Sequence, residues 1–171
     1  RAMAVELASI AGGEPAMRVL PNPIDVDEIR LQGRQAVKRW TGPGPHILGV
    51  GRLAGEKGFD LLLQAFASLR GDFPSADLTI LGEGRERPAL EMLAWVLGLG
   101  NSVRMPGHVE QSTQWFSGAT VFVLSSRHEG LPNALLEAAA GGLPIVSTRA
   151  SAGLVGLIEA QPGVWLAADG S

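Results

Sequence analysis

From His46 onward, short apolar runs alternate with longer stretches whose apolar residues recur every three or four positions. HILGVGR (His46 to Arg52) reads as a buried strand running into a glycine-containing loop. KGFDLLLQAFASLRGDF follows, with apolar Phe59, Leu62, Leu63, Phe66 and Leu69 on one helical face. ADLTILGEG predicts a strand, and ERPALEMLAWVLGLG a helix stopped by glycine. VRMPG predicts a short strand, and STQWFSGA a short helix opened by Ser112 or Thr113. VFVLSS, PNALLEAAAGG and PIVSTR predict strand, helix and strand, and the tail adds a helix (Gly153 to Ala160) and a last strand, GVWLA.

The first 45 residues are less regular. Arg1 to Ala11 is helix-compatible and stops at Gly12-Gly13, MRVLPNPID (Met17 to Asp25) predicts a short strand closed by prolines, and Asp25 to Trp40 has helical spacing. TGPGP (Thr41 to Pro45) is a rigid connector. Strands of four to seven residues alternating with helices of ten to fifteen predict an α/β fold. It is a Rossmann-like, doubly wound parallel sheet of about six strands with helices on both faces. Right-handed crossovers put its ligand crevice beyond the carboxyl ends of the strands. The unusual residue clusters of this chain fall at those ends.

Composition narrows the classes. The chain has 171 residues, 46% hydrophobic and 18% charged, which fits one packed domain. A net charge of -3 and a pI near 5.6 argue against a nucleic-acid partner held by phosphate neutralisation. The absence of cysteine removes disulfides and thiolate metal sites. No apolar run approaches the ~20 residues of a membrane span. The chain starts at Arg1, so a piece of a longer protein is expected. Lys38 and Lys57 are the only lysines among 14 basic residues, which makes the position of each informative.

Four clusters could carry chemistry. In GVGRLAGEKG, Gly51 lets a ligand meet backbone N–H groups, and Arg52 and Lys57 offer two positive charges. Lys57 precedes a helix, where the dipole disfavours a cation. An anion sharing the site explains it, and so does a solvated loop with routine charges. LGEGRERPAL has Arg87 where a dinucleotide fingerprint needs its third glycine, so a nicotinamide oxidoreductase is not supported. Its Gly82 and Gly84 still permit close approach of a flat base. In MPGHVEQ, His108 has no second ligand at metal-binding spacing, and His46 and His128 are equally unpartnered, so no metal site is expected.

The fourth cluster is SSRHEGLPNALLE, where a strand ends, the chain breaks at Gly130 and Pro132, and a helix begins. Pro132 suits a first helical turn. The N–H groups of Asn133, Ala134 and Leu135 are expected to lack helical partners and to face the crevice as an anion site. Glu129 lies in the break and Glu137 in the helix. Their separation does not suit a hydrolytic acid/base pair, which must flank one bond. They read as two hydroxyl receptors for different parts of one ligand. Each alone is equally a turn or a surface residue.

Together, LPNPID, GRLAGEKGFDLLLQAF, LTILGEGRERPAL, VRMPGHV and SSRHEGLPNALLEAAAGGLPIVST resemble the C-terminal half of a family 4 glycosyltransferase of the two-domain GT-B architecture. The last segment contains the E-x7-E pattern, Glu129 to Glu137. The resemblance covers roughly residues 17–160. It implies a retaining transferase using a nucleotide-diphosphate sugar, with no metal and no cofactor. Arg52 and Lys57 would stabilise the leaving nucleotide diphosphate, and Glu129 would contact the sugar. The backbone at Gly51 and from Gly130 through Leu131, Pro132, Asn133 and Ala134 to Leu135 would hold sugar and phosphate. Glu137 would take the ribose hydroxyls, and the loops at Gly84 and Val109 would bracket the base.

On that resemblance, residues 1–16 are the remnant of a preceding segment and residues 17–171 the donor-binding domain. The acceptor, a carbohydrate or lipid-linked saccharide, belongs to an N-terminal domain outside this sequence. So does any contact with the inner face of the membrane, the expected location being cytoplasmic. Gly156 stands where many relatives carry a glutamate. An epimerase of the same architecture and a non-catalytic nucleotide-sugar-binding module remain alternatives. A phosphorylase would need a lysine for pyridoxal phosphate, and only Lys38 and Lys57 are present.

Overall fold

The computed structural model describes residues 22–35 and 39–168. The helix expected before Gly12, most of the strand expected in Met17 to Asp25, and Lys38 lie outside the described residues. Helix α1 (Val26–Gln35) precedes strand β1 (His46–Val50), α2 (Phe59–Asp72), β2 (Asp77–Leu81), α3 (Arg87–Val96) and β3 (Val103–Gly107). Then come β4 (Val121–Leu124), α4 (Asn133–Ala140), β5 (Ile145–Ser147), α5 (Ala152–Ile158) and β6 (Val164–Leu166). The short helix expected at Ser112 is a single 3-10 turn, Ser112–Trp115.

The six described strands form one parallel sheet in the order β3-β2-β1-β4-β5-β6. Parallel strands need helical crossovers, and those helices bury both faces of the sheet. Successive strand residues point to opposite sides, and the core divides accordingly. Ile47, Leu78 and Ile80 pack with Phe59, Leu62, Leu63 and Phe66 of α2 and Leu90 and Ala94 of α3. Leu48, Phe122, Leu124 and Ile145 pack with Leu135 and Ala138 of α4 and Leu154 and Ile158 of α5. This is the expected Rossmann-like α/β sheet with helices on both faces.

The order reverses between β1 and β4. After β1 the chain winds outward through β2 to β3, and after β4 it winds the other way through β5 to β6. The helices that follow β1 and β4 lie on opposite faces, so the loops at the tips of these two strands diverge and leave a crevice. His46 and Asp77 open β1 and β2 at the opposite end, joined by an Nδ1–Oδ2 contact of 2.7 Å. Trp40 stacks on His46 with ring centroids 5.0 Å apart. That cluster locks the connector onto the sheet and leaves the other end for the site.

Candidate functional site

Two loops meet at the crevice. The first leaves β1, makes a 3-10 turn at Gly55–Lys57, and enters α2 through Gly58. Gly58 has φ +61°, and a Cβ there would sit 2.1 Å from the carbonyl oxygen of Ser125. Only glycine lets the two loops approach so closely. The second loop continues β4 through Ser125 and Ser126 to Pro132, whose extended backbone (φ -74°, ψ 121°) leads into α4.

Side chains tie the loops together. The Ser125 hydroxyl donates to the Lys57 carbonyl at 2.9 Å. The Arg127 N–H donates to the Glu56 carbonyl at 2.8 Å. The Arg127 guanidinium reaches the Gly55 carbonyl at 2.8 Å and grips both carboxylate oxygens of Asp60 at 2.8 and 2.6 Å. That hydrogen-bonded guanidinium holds the Asp60 carboxyl below its ordinary range, and Asp60 in turn raises Arg127.

Lys57 and Glu129, far apart in sequence, come together here. Lys57 Nζ lies 2.5 Å from Glu129 Oε1, with the side chains 22% and 10% exposed. The Ser126 hydroxyl donates to the same oxygen at 2.7 Å. The anion that shares the Lys57 position is therefore a side chain of this protein. Arg52 behaves differently: its side chain is 71% exposed and bonds Glu56 at 2.6 Å. A backbone hydrogen bond at Glu56, and then the Arg52 guanidinium, hold the Glu56 carboxyl below its ordinary range.

Beside the pair lies a cleft of about 540 Å³, which Gly51, Arg52, Glu83, Val109, Ala134 and Glu137 help to line. Glu137 projects from α4, and the Ser112 hydroxyl is 3.4 Å from its Oε2. Gly84 is not among the lining residues. A Cβ there would sit 2.2 Å from the Leu53 carbonyl oxygen, so Gly84 lets the loop after β2 zip against the loop after β1. The zipper is closed by Leu53 N–H to Glu83 (2.8 Å) and Glu86 N–H to Leu53 (3.1 Å). Arg87, at the missing third glycine, spans Glu83 and Glu91 at 2.7 and 2.9 Å. Its hydrogen bond to Glu83 lowers that carboxyl's pKa.

The start of α4 corrects one expectation. The Leu135 N–H donates to the Pro132 carbonyl at 3.2 Å, a tight first-turn bond, and its side chain is in the core. That leaves the N–H groups of Asn133 and Ala134 as the open donors of this turn. Gly130 is exposed. Asn22, which the sequence did not single out, donates to the Leu131 carbonyl at 3.3 Å and to Asn133 Oδ1 at 2.6 Å. Ser125, Ser126 and Arg127 lie inside the fourth sequence cluster, but no role attaches to them from sequence alone. The signal was present in Ser125-Ser126, two polar residues continuing an apolar strand.

A family model described as glycosyl transferases group 1 matches residues 44–171. The chain belongs to that family. This group 1 glycosyltransferase chain is 41% identical over 144 residues to the lipopolysaccharide core biosynthesis glycosyltransferase LpsE of Rhizobium meliloti, a match covering 84% of this chain and 41% of LpsE. It is 35% identical over 126 residues to the mannosylfructose-phosphate synthase of Agrobacterium fabrum, covering 67% and 28% of the two chains. Among solved structures, Anabaena HepE in complex with UDP superposes with a TM-score of 0.76 at 22% identity, over 99% of this chain and 49% of HepE. The pneumococcal O-GlcNAc transferase GtfA, in complex with UDP and GlcNAc, matches at 27% identity and a TM-score of 0.62, over 71% and 23% of the two chains. The group 1 chain thus spans less than half the length of each of these relatives. Among its described residues no helix is long and apolar enough to cross a membrane.

Proposed function

We propose that this domain binds the nucleotide-diphosphate sugar of a retaining glycosyltransferase and presents the glycosyl group to an acceptor held by a second domain. The observation that carries this reading is the convergence of Lys57, Glu129 and Ser126 at the reversal point of the sheet, beside a cleft that runs to Glu137. Open α/β sheets bind ligands at that point. The spread of groups suits one elongated ligand with a phosphate middle.

The cleft beside Gly51 and Val109 accepts the nucleoside, with Glu137 receiving the ribose hydroxyls. The diphosphate sits against the free N–H groups of Asn133 and Ala134, where the start of α4 favours an anion. Arg52 and Lys57 supply positive charge to the departing diphosphate as the glycosidic bond breaks, which lowers the barrier through electrostatic stabilisation. Glu129 receives hydroxyls of the transferred sugar. UDP in the HepE and GtfA complexes favours a UDP-sugar donor here. The acceptor, a carbohydrate or a lipid-linked saccharide, belongs to the second domain.

Calorimetry with UDP-glucose, UDP-N-acetylglucosamine, GDP-mannose and ADP-glucose tests the reading. Heat of binding is expected with at least one donor, and Lys57→Ala is expected to weaken that binding. No heat with any of the four overturns it.

A further inference from the structure

Glu129 Oε1 receives two donors, the Lys57 ammonium and the Ser126 hydroxyl, while no partner is found for Oε2 among the described residues. The two donors are unlike. Lys57 sits on a flexible four-carbon stem and can swing its charge to another anion. Ser126 has a short arm and is 1% exposed. It is also pinned from outside its own loop: the Thr148 hydroxyl, just past β5, donates to the Ser126 carbonyl at 2.5 Å. The Thr148 N–H donates to Leu124 at 2.9 Å, fixing the same stretch.

Resting on the donor-binding reading above, we propose that Ser126 is the positioning residue that holds Glu129 for the donor sugar when Lys57 turns to the diphosphate. A carboxylate this buried needs at least one retained donor to keep its place. Were Lys57 its only anchor, the arrival of a diphosphate would release the group that must receive the sugar. With Ser126 on Oε1, the carboxylate stays fixed and Oε2 remains aimed for a sugar hydroxyl. Lys57 is then free to act on charge, and Ser126 on geometry.

The test is the gain in affinity that the sugar brings, measured by calorimetry as the ratio of dissociation constants for a nucleoside diphosphate and its own sugar conjugate. The probe is the tightest-binding of the four donors above. Ser126→Ala is expected to weaken the conjugate about tenfold, as loss of a hydrogen bond to a charged group does, and to leave the bare diphosphate within about twofold. In a Glu129→Ala background the same substitution is expected to change nothing further, the sign that Ser126 acts through Glu129. Ser126→Cys, close in volume and a poor donor, should repeat the result if the alanine variant folds badly.

Equal weakening of both ligands by Ser126→Ala would show that it merely shapes the loop and overturns the proposal. So would a further loss in the Glu129→Ala background, or a wild-type protein that gains nothing from the sugar. A wild-type protein that binds neither ligand overturns the donor-binding reading, and this proposal falls with it.

Discussion

At the scale of single residues, the two cations of the first loop are unequal. Lys57 is half-buried against a carboxylate, and Arg52 stands mostly in water against Glu56. Lys57→Ala strands Glu129 with only the Ser126 hydroxyl, so it should both lower stability and weaken nucleoside diphosphate binding about ten- to hundredfold. Arg52→Ala should weaken binding while changing stability by no more than about 0.5 kcal/mol, because an exposed pair contributes little. Urea unfolding of the two variants beside their calorimetry separates these outcomes. Gly58→Ala is a third case, with no charge involved. The new methyl would meet the Ser125 carbonyl while the backbone holds φ +61°. A loss of about 1–3 kcal/mol is expected, read as a lower urea midpoint.

At the scale of elements, periodicity was a good guide. Phe59, Leu62, Leu63 and Phe66 were legible as the buried face of one helix, and they are that face. Most strands were legible as short apolar runs with a glycine or proline nearby, as in β1 between Pro45 and Gly51. What the sequence hid were contacts between elements. Arg127 and Asp60 are distant in the chain, and their bidentate pair follows from the adjacency of β1 and β4 in the sheet. The same adjacency brings Lys57 to Glu129. No local pattern states it, since register is set by the whole sheet. The N–H of Leu135 escaped for the opposite reason: a first-turn bond to Pro132 is a matter of backbone angles.

The Arg127–Asp60 pair has a pH signature of definite sign. Asp60 is held below its ordinary value near 3.8 chiefly by the Arg127 hydrogen bond, so the folded protein binds its proton less readily than the unfolded chain. The stability it adds is therefore complete above that ordinary value and is lost as pH falls through it toward the depressed one. Both side chains are some 40% exposed, and solvent screening keeps the effect to about 0.5 kcal/mol. Arg127→Ala should flatten the acid limb of the stability profile in that window and leave its shape near neutrality alone. Thermal melts across the acid range check it.

At the scale of the molecule, the chain covers 41% of LpsE, and the proposed function gives this domain the donor while a second domain completes the reaction. With donor and an acceptor saccharide the chain alone should bind but release no free nucleoside diphosphate, a difference read by pairing calorimetry with a diphosphate assay. The sheet order carries a consequence for how the polypeptide matures. β1 lies between β2 and β4, and its Ile47 pairs with Val121. That pairing closes a loop of roughly seventy residues, an entropic cost that slows folding. On the ribosome, β1 and β2 can associate while the flank awaiting β4 stays open, with unpaired amides beside an apolar strand. Such an edge is a hazard for aggregation. The Ser125–Ser126 segment emerges directly after β4, so the strand that covers β1 also brings the second loop to the crevice. The open edge then moves outward to β4 and waits for β5 and β6, so the crevice forms before the sheet is fully protected against self-association.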